Sequence, residues 1–450
     1  MTDNAQRHLC LVLPSTGEFD SRTYRIASTC LARGHQVTVL ARWKEGLPDE
    51  ELHPAGYRIL RVRASAADGL PLKGTRAAAG RLLHPGRRPA AAPPSRPASA
   101  GAGTVAAPKV ASGASPASFP RRVLASAVRR LAIPLTIRSH IRNARRLAPG
   151  ADLYHGMAYM GIPVALALGR DHHAPVVYDA RDIYLEARNL AKSRGIVRWA
   201  LARAERGWAH ASARVVTVND AYADVMAERF GTERPLVAMN CSARFDPPEP
   251  PERRFHETLG LPGDARVVLY HGGLFPERGI EQLMAAMDTI PDAVLVLMGY
   301  GVLEPELRAA AAEPERAGRL FVLPAVPPQD LHAWVAAADI AAMPIQASTL
   351  NHRLTTPNKL FEAMAAGVPV VASDLPGMAT IVREVDFGRL CDPADAASIA
   401  AAIRSILDAP ADEVTRLRAN ARRAARERYN WETQADALLA AYARATGTPW

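Results

Sequence analysis

The sequence predicts an α/β protein built as two tandem Rossmann-like, doubly wound domains facing a central crevice. Three observations predict it. Short continuous apolar runs recur along the chain, the pattern of parallel strands covered on both faces. Helical segments separate them, in the β–α–β rhythm of a parallel sheet. The series is divided once, by the Pro-rich, charged connector DPPEPPERR at 246–254. A chain of 450 residues, 48% of them hydrophobic, is too long for one ordinary core and rich enough for two.

The first unit opens with a strand at Leu9–Pro14. Ser21 can cap a helix whose Tyr24, Ala27 and Leu31 share a face, and Gly34 stops it before a strand at Val37–Leu40. From about 70 to 120 the sequence turns to Ala, Pro, Gly, Ser and Arg, a composition that buries too little to offset its ordering entropy; a flexible insertion is expected. Residues 121–147 follow as a strongly basic helical stretch interrupted at Pro134. Strands then resume at Asp152–His155, Val176–Asp179, Val215–Asn219 and Leu236–Asn240. The second series has strands near Val267–Tyr270, Val294–Met298, Leu320–Leu323, Ile340–Met343 and Val368–Ala372. From about Asp412 to Ala445 the chain reads as helical. The expected division is 1–245, a linker at 246–256, 257–428, and a final helix at 429–450.

Bulk properties narrow the function classes. The net charge of +10 favours anionic partners: nucleotides, lipid head groups or nucleic acid. Nucleic acid is set aside, because the basic residues gather in the flexible region without interleaved aromatics. The four cysteines form no CxxC pair, so neither a disulfide framework nor a zinc site is implied. The longest nearly uncharged apolar stretch, Met160–Gly169, is too short to span a bilayer, and a cytoplasmic protein is expected. A basic amphipathic helix at 121–146 leaves peripheral contact with an anionic membrane, at its inner face, as an expectation.

The most informative segment is TTPNKLFEAMAAGVPVVAS, 355–373. Thr356 can serve as N-cap, Pro357 fits the first helical position, and Gly367 suits the stop. Lys359 and Glu362 then lie within about 60° of each other, with Leu360, Phe361 and Met364 on the other side. A lysine in the first turn opposes the helix dipole unless an anion binds there; the carboxylate a turn later suits two ribose hydroxyls. An ordinary surface Lys–Glu pair is the alternative. In VVLYHGGLFPERGIEQLMAAM, 267–287, a strand ends in His271-Gly272-Gly273, where backbone N–H groups can approach a phosphate. Arg278 precedes Gly279 and a helix with Ile280, Leu283, Met284 and Met287 inward, well placed for a diphosphate. Met298–Leu307 nearly matches GxGxxG, but Glu304 stands at the third glycine; a tight turn at the crevice rim, with Gly299 and Tyr300, is expected. In the first half, Arg22, His155, Asp179, Arg181 and Asp182 fall at or after carboxyl ends of strands, where a crevice ligand would sit. Asp179 and Asp182 have the wrong spacing for a DxD metal site, and no catalytic metal or cofactor is expected.

Together these segments resemble the family-4 group of retaining glycosyltransferases with the GT-B fold, across almost the whole chain apart from the Ala/Pro insertion. DSRTYRIASTCLARGHQVTVL, DLYHGMAY, RGIEQLMAA and NKLFEAMAAGVPVVAS carry the resemblance. It implies a C-terminal helix crossing back to the N-terminal domain, which would account for Trp431. It implies transfer of a hexosyl group from a UDP- or GDP-sugar to a hydroxyl acceptor with retention, in polysaccharide, glycolipid or glycoside synthesis. Arg278 and Lys359 would hold the diphosphate, Glu362 the ribose, and His155 would orient the sugar. The full donor set is Gly272, Gly273, Arg278, Gly299, Tyr300, Asn358, Lys359, Leu360 and Glu362, with Arg22, Asp179 and Asp182 on the acceptor side. The chain departs from the family pattern at Leu354, where many members carry the first glutamate of E-x7-E, and at Met157, where many carry a second histidine. Asn351, His352 or Thr355 would have to substitute for that glutamate. A nucleotide-sugar epimerase of the same architecture and a nicotinamide-dependent oxidoreductase are the alternatives.

Overall fold

Fourteen strands form two sheets in the computed structural model, which describes residues 6–18, 20–66, 119–187 and 190–450. The insertion expected at 70–120 falls, up to residue 118, outside the described residues, as do the side chains of the basic segment through 131. The first sheet contains β1 (His8–Val12), β2 (Gln36–Arg42), β3 (Glu50–Leu52), β4 (Arg58–Val62), β5 (Leu153–Met157), β6 (Val176–Asp179), β7 (Arg214–Thr217) and β8 (Leu236–Val237). Their order is β3-β4-β2-β1-β5-β6-β7-β8, parallel throughout except for β3 on β4. The second contains β9 (Arg266–Gly273), β10 (Ala293–Tyr300), β11 (Leu320–Pro324), β12 (Ile340–Met343), β13 (Val370–Ser373) and β14 (Gly388–Cys391). It is ordered β11-β10-β9-β12-β13-β14 and wholly parallel. Helices cover both faces of each sheet, which is why β1, β5, β9 and β10 read as apolar runs rather than alternations. This is the GT-B arrangement of two Rossmann-like domains.

Local structure departs from expectation in four places. Asp20, not Ser21, caps the helix Ser21–Ala32, accepting from the Thr23 N–H. Its buried face is Arg22, Thr23, Ile26, Ala27 and Cys30, while Tyr24 is 46% exposed. The basic helix Phe119–Leu147 runs unbroken through Pro134. Packing of Ile133, Ile141 and Ala144 against the N-terminal core offsets the one backbone bond that proline removes. At the C-terminus the chain forms two helices, Ala411–Glu427 and Trp431–Thr446, the second capped by Asn430 on the Thr433 N–H.

That last helix crosses to the first domain. Trp431, Leu438, Leu439, Tyr442 and Trp450 join the core formed by β1, β2 and the Ser21–Ala32 helix. Trp431 Nε1 donates to Thr29 Oγ1 at 2.8 Å. Among the described residues no helix is long and apolar enough to cross a membrane.

Candidate active site

In each sheet the strand order reverses beside its first strand, between β1 and β5 and between β9 and β12. Open parallel sheets bind ligands just beyond such points. The carboxyl ends of both sheets meet there. Asn351 Oδ1 accepts from the Ile183 N–H at 2.8 Å, its Nδ2 donates to Asp182 at 3.1 Å, and its carbonyl accepts from Tyr222 Oη at 2.7 Å. Asn219 donates to the Leu354 carbonyl and to Thr356 Oγ1. Asn240 donates to Asn358 Oδ1 at 2.8 Å, and Asn358 donates to Ser21 Oγ at 3.4 Å. The two domains are thus held by amide side chains across the crevice.

On the C-terminal side, the penultimate residue of β9 is Gly272, whose φ of +106° suits only glycine; a Cβ there would lie 3.8 Å from Lys359 Cε. Gly279 sets the next turn at φ +74°, and a Cβ would stand 1.8 Å from the Pro344 carbonyl, so the loop carrying Arg278 is pressed against the end of β12. The helix Asn358–Ala365 begins beside this loop, with Pro357 rather than Thr356 at its cap. Thr356 is engaged by Asn219 instead.

Lys359 is 9% exposed and its Nζ has no hydrogen-bond partner among the described residues. It lies 3.5 Å over the Tyr270 ring. Burial, then the neighbouring Arg278 charge, push its pKa well below the usual lysine value, against a smaller pull from Glu362. Arg278 is half-buried and forms no hydrogen bond or ion pair with a described residue. Glu362 is not paired with Lys359, as a surface pair would be. It is 8% exposed and takes a hydrogen bond from His271 Nε2 at 2.9 Å. Burial alone would raise its pKa; the His271 bond and the Arg25 and His332 charges hold it below the usual carboxylate range. This corner therefore concentrates positive potential from two cations and a helix N-terminus, with one ionised carboxylate a turn deeper.

The structure gathers Gly272, Gly273, Arg278, Lys359 and Glu362 around one corner, with Gly299 opposite Gly272 in the β9–β10 ladder and the half-exposed Tyr300 at its end. Leu360 is a correction. Its side chain is fully buried in the C-terminal core and its N–H is bonded to the Pro357 carbonyl. Asn358 spends its amide on Asn240 and Ser21.

Larger corrections lie on the N-terminal side. Arg22, Asp179 and His155 are wholly buried rather than facing the crevice. Arg22 forms a two-pronged ion pair with Asp179, at 2.6 and 3.1 Å, and donates to the Ala238 carbonyl. His155 Nε2 stands 3.2 Å from Asp179, and its Nδ1 is 2.7 Å from Tyr442 Oη on the crossing helix. Burial disfavours ionisation of Asp179, yet Arg22 and His155 hold its pKa far below the usual range. These residues brace the domain and its crossing helix, and His155 is wholly enclosed there, away from the crevice. Asp182 does reach the crevice, where Asn351 holds it. Of the three residues weighed against Leu354, Asn351 is used in domain contact and Thr355 packs its carbonyl against Gly377. His352 sits 3.7 Å from Glu277, feels the Arg278 charge, and bonds Ser348 through Nδ1.

Tyr270, His271, Arg25 and Asn240 contribute to this corner without having been singled out from the sequence. Only His271 carried a signal, as the strand end before two glycines.

The family model "Glycosyl transferases group 1" matches residues 251–428, the segment that builds this corner. A D-inositol 3-phosphate glycosyltransferase of Xylanimonas cellulosilytica is 34% identical over 212 residues, 45% of this chain and 49% of that protein. One from Mycobacterium tuberculosis is 32% identical over 202 residues, 43% of this chain and 40% of that protein. The chain thus spans about half the length, or less, of the curated relatives it matches. Among solved structures, sucrose-phosphate synthase from Thermosynechococcus elongatus superposes with a TM-score of 0.69 at 19% identity, covering 98% of this chain and 100% of that one. Anabaena HepE, in complex with UDP and glucose, gives 0.65 at 16% identity, covering 97% and 100%. These likenesses establish the fold. Over residues 251–428 the chain is similar to the glycosyl transferases group 1 family.

Proposed function

We propose that the protein transfers a glycosyl group from a nucleoside-diphosphate sugar to a hydroxyl acceptor, with retention at the anomeric carbon. One observation carries the reading: two cations, Arg278 and Lys359, form no ion pair with a described residue where a helix N-terminus meets a glycine turn. A diphosphate supplies the missing charge. It would restore the Lys359 pKa and be stabilised further as the bond to it breaks. Glu362, oriented by His271, then takes the ribose hydroxyls. The relatives named above are glycosyltransferases, and HepE was solved with UDP, which favours a UDP-sugar over a GDP-sugar.

In the reaction the anomeric C–O bond to the diphosphate breaks and a bond to the acceptor oxygen forms on the same face. The acceptor proton passes to a departing phosphate oxygen. Arg278 and Lys359 are the charge-stabilising groups; His155 is left out, because it is wholly buried inside the first domain with its Nδ1 on Tyr442. An epimerase would share the donor corner. A nicotinamide enzyme would need the Met298–Leu307 turn, where Glu304 replaces the third glycine.

The test is a thermal-shift screen with UDP, GDP, dTDP, ADP and NADH, followed by donor turnover. We expect an upshift with UDP and its loss in Arg278→Ala, Lys359→Ala, with turnover reduced on the order of a hundredfold or more per cation. A shift with NADH alone, or undiminished UDP binding by the double variant, would overturn the assignment. Peripheral membrane contact through the basic segment 121–146 is a separate proposal. The C-terminal half of that segment is spent on packing, with Ser139, His140 and Ala144 buried.

A further inference from the structure

The helix Gly195–Ala211 presents a face that the fold uses only at its C-terminal end, where His210 Nε2 is 2.9 Å from the Phe230 carbonyl oxygen. At 100° per residue, Ile196, Trp199, Arg203, Arg206 and His210 fall within a sector of about 100°. The opposite side carries the buried Glu205 and Ala209. Ile196 is 78% exposed and Trp199 63%, two of the largest apolar exposures among the described residues, one turn apart.

Cations flank this apolar pair at both ends. Lys192 and Arg194 precede the helix, and Arg203 and Arg206 follow on the same stripe, all exposed. No acid lies in the first turn, and the helix's one acid, Glu205, is buried on the far side. Arg194 and Lys192 stand at a helix N-terminus, where positive charge opposes the dipole, so local stability does not account for them. An amphipathic aromatic beside an aliphatic, framed by arginine and lysine, is the composition of a surface that rests at the boundary of an anionic bilayer. A second copy of the chain fits worse: an isologous contact would bring these cations face to face.

Position adds to the argument. Arg198, on the inward side of the same turn, donates to the Leu185 carbonyl at 2.7 Å and to Glu186. Two residues before Leu185, Ile183 is bonded to Asn351 of the other domain. The patch therefore adjoins the crevice mouth.

We propose that Ile196 and Trp199, with Lys192, Arg194, Arg203 and Arg206, dock the protein on an anionic lipid surface. The inference goes beyond the transfer reaction and does not depend on it.

The test is co-sedimentation of the full chain with phosphatidylglycerol/phosphatidylcholine vesicles and with phosphatidylcholine alone. The wild type and the Ile196→Ser, Trp199→Ser variant are also run in sedimentation velocity. We expect binding to the anionic vesicles only, weakened by salt. Ile196→Ser, Trp199→Ser should lower the partition coefficient by about tenfold or more, and Arg194→Ser or Arg203→Ser by about fivefold each. Brominated lipid should quench the wild type more than Trp199→Phe. No binding to anionic vesicles overturns the proposal. So does binding undiminished in the double variant, which would assign it to the basic segment, or a dimer that only the double variant abolishes. Because all the substituted side chains are exposed, loss of folding does not confuse the result.

Discussion

Burying an ammonium beside a guanidinium costs free energy that the Tyr270 ring offsets only in part. A protein keeps such a pair where a ligand completes it, which is why Lys359 says more about chemistry than any carboxylate in the first domain. Glu205 shows the contrasting case, a buried charge-bearing group with no role at the crevice. It lies 4% exposed, takes a hydrogen bond from Tyr178 Oη at 2.9 Å, and burial moves its pKa from the usual 4.5 to about 7. Between those values the folded protein keeps a proton that the unfolded chain has lost. Stability from this site therefore falls as pH rises from about 5 to 7 and stays reduced above, by up to about 3 kcal/mol. Glu205→Gln keeps the oxygen that faces Tyr178 and removes the ionisation. We expect it to unfold at higher urea than the wild type at about pH 8 and at the same urea near pH 5; an equal difference at both would show that ionisation is not the cause. Residue identity alone made Lys359 and Glu362 legible, because helical spacing and cap chemistry place both on one face. The His271–Glu362 bond was not, since it joins positions 91 apart.

Elements were legible where burial writes itself into composition. The parallel strands β5, β6, β9, β10, β12 and β13 announce themselves as apolar runs, and their carboxyl ends mark the crevice. The charged strands β3 and β4 and the short β14 carry no such run and were not read. The same physics explains the misplaced His155, Arg22 and Asp179. A strand covered on both faces has no polar alternation to say which way a side chain points, so a histidine aimed at a packing helix reads like one aimed at a ligand. Here the packing helix is Trp431–Thr446, and its Tyr442 meets His155 inside the first domain. Tyr442→Phe deletes that contact with little change in volume. We expect a loss of about 1–3 kcal/mol in unfolding free energy by urea titration, with UDP affinity unchanged within about twofold. A fall in UDP affinity with unaltered stability would return His155 to the ligand site.

At the scale of the whole molecule, the two sheets act through the few groups that join them. Asn351 makes three of those contacts, to Ile183, Asp182 and Tyr222, from a four-residue helix beside Arg278. A single amide satisfying two partners across a crevice is a latch: replacing it with alanine leaves the Ile183 N–H and Asp182 without their partners, while the domains themselves keep their cores. Closure should then be disfavoured by about 1–3 kcal/mol, or about five- to a hundredfold in the closed-to-open ratio. The corner of Arg278 and Lys359, by contrast, is built within the second domain, from the β9 loop and the Asn358–Ala365 helix, and does not need the latch. Asn351→Ala is therefore expected to separate two quantities that move together when Lys359 is lost. The radius of gyration in small-angle scattering should rise and turnover should fall, while UDP affinity stays within about threefold of the wild type. Unchanged scattering and turnover would mean that Asn219, Asn240 and Asn358 hold the domains without it. A matching loss of UDP affinity would place part of the nucleotide site on the first domain, where the Arg25 charge already reaches Glu362.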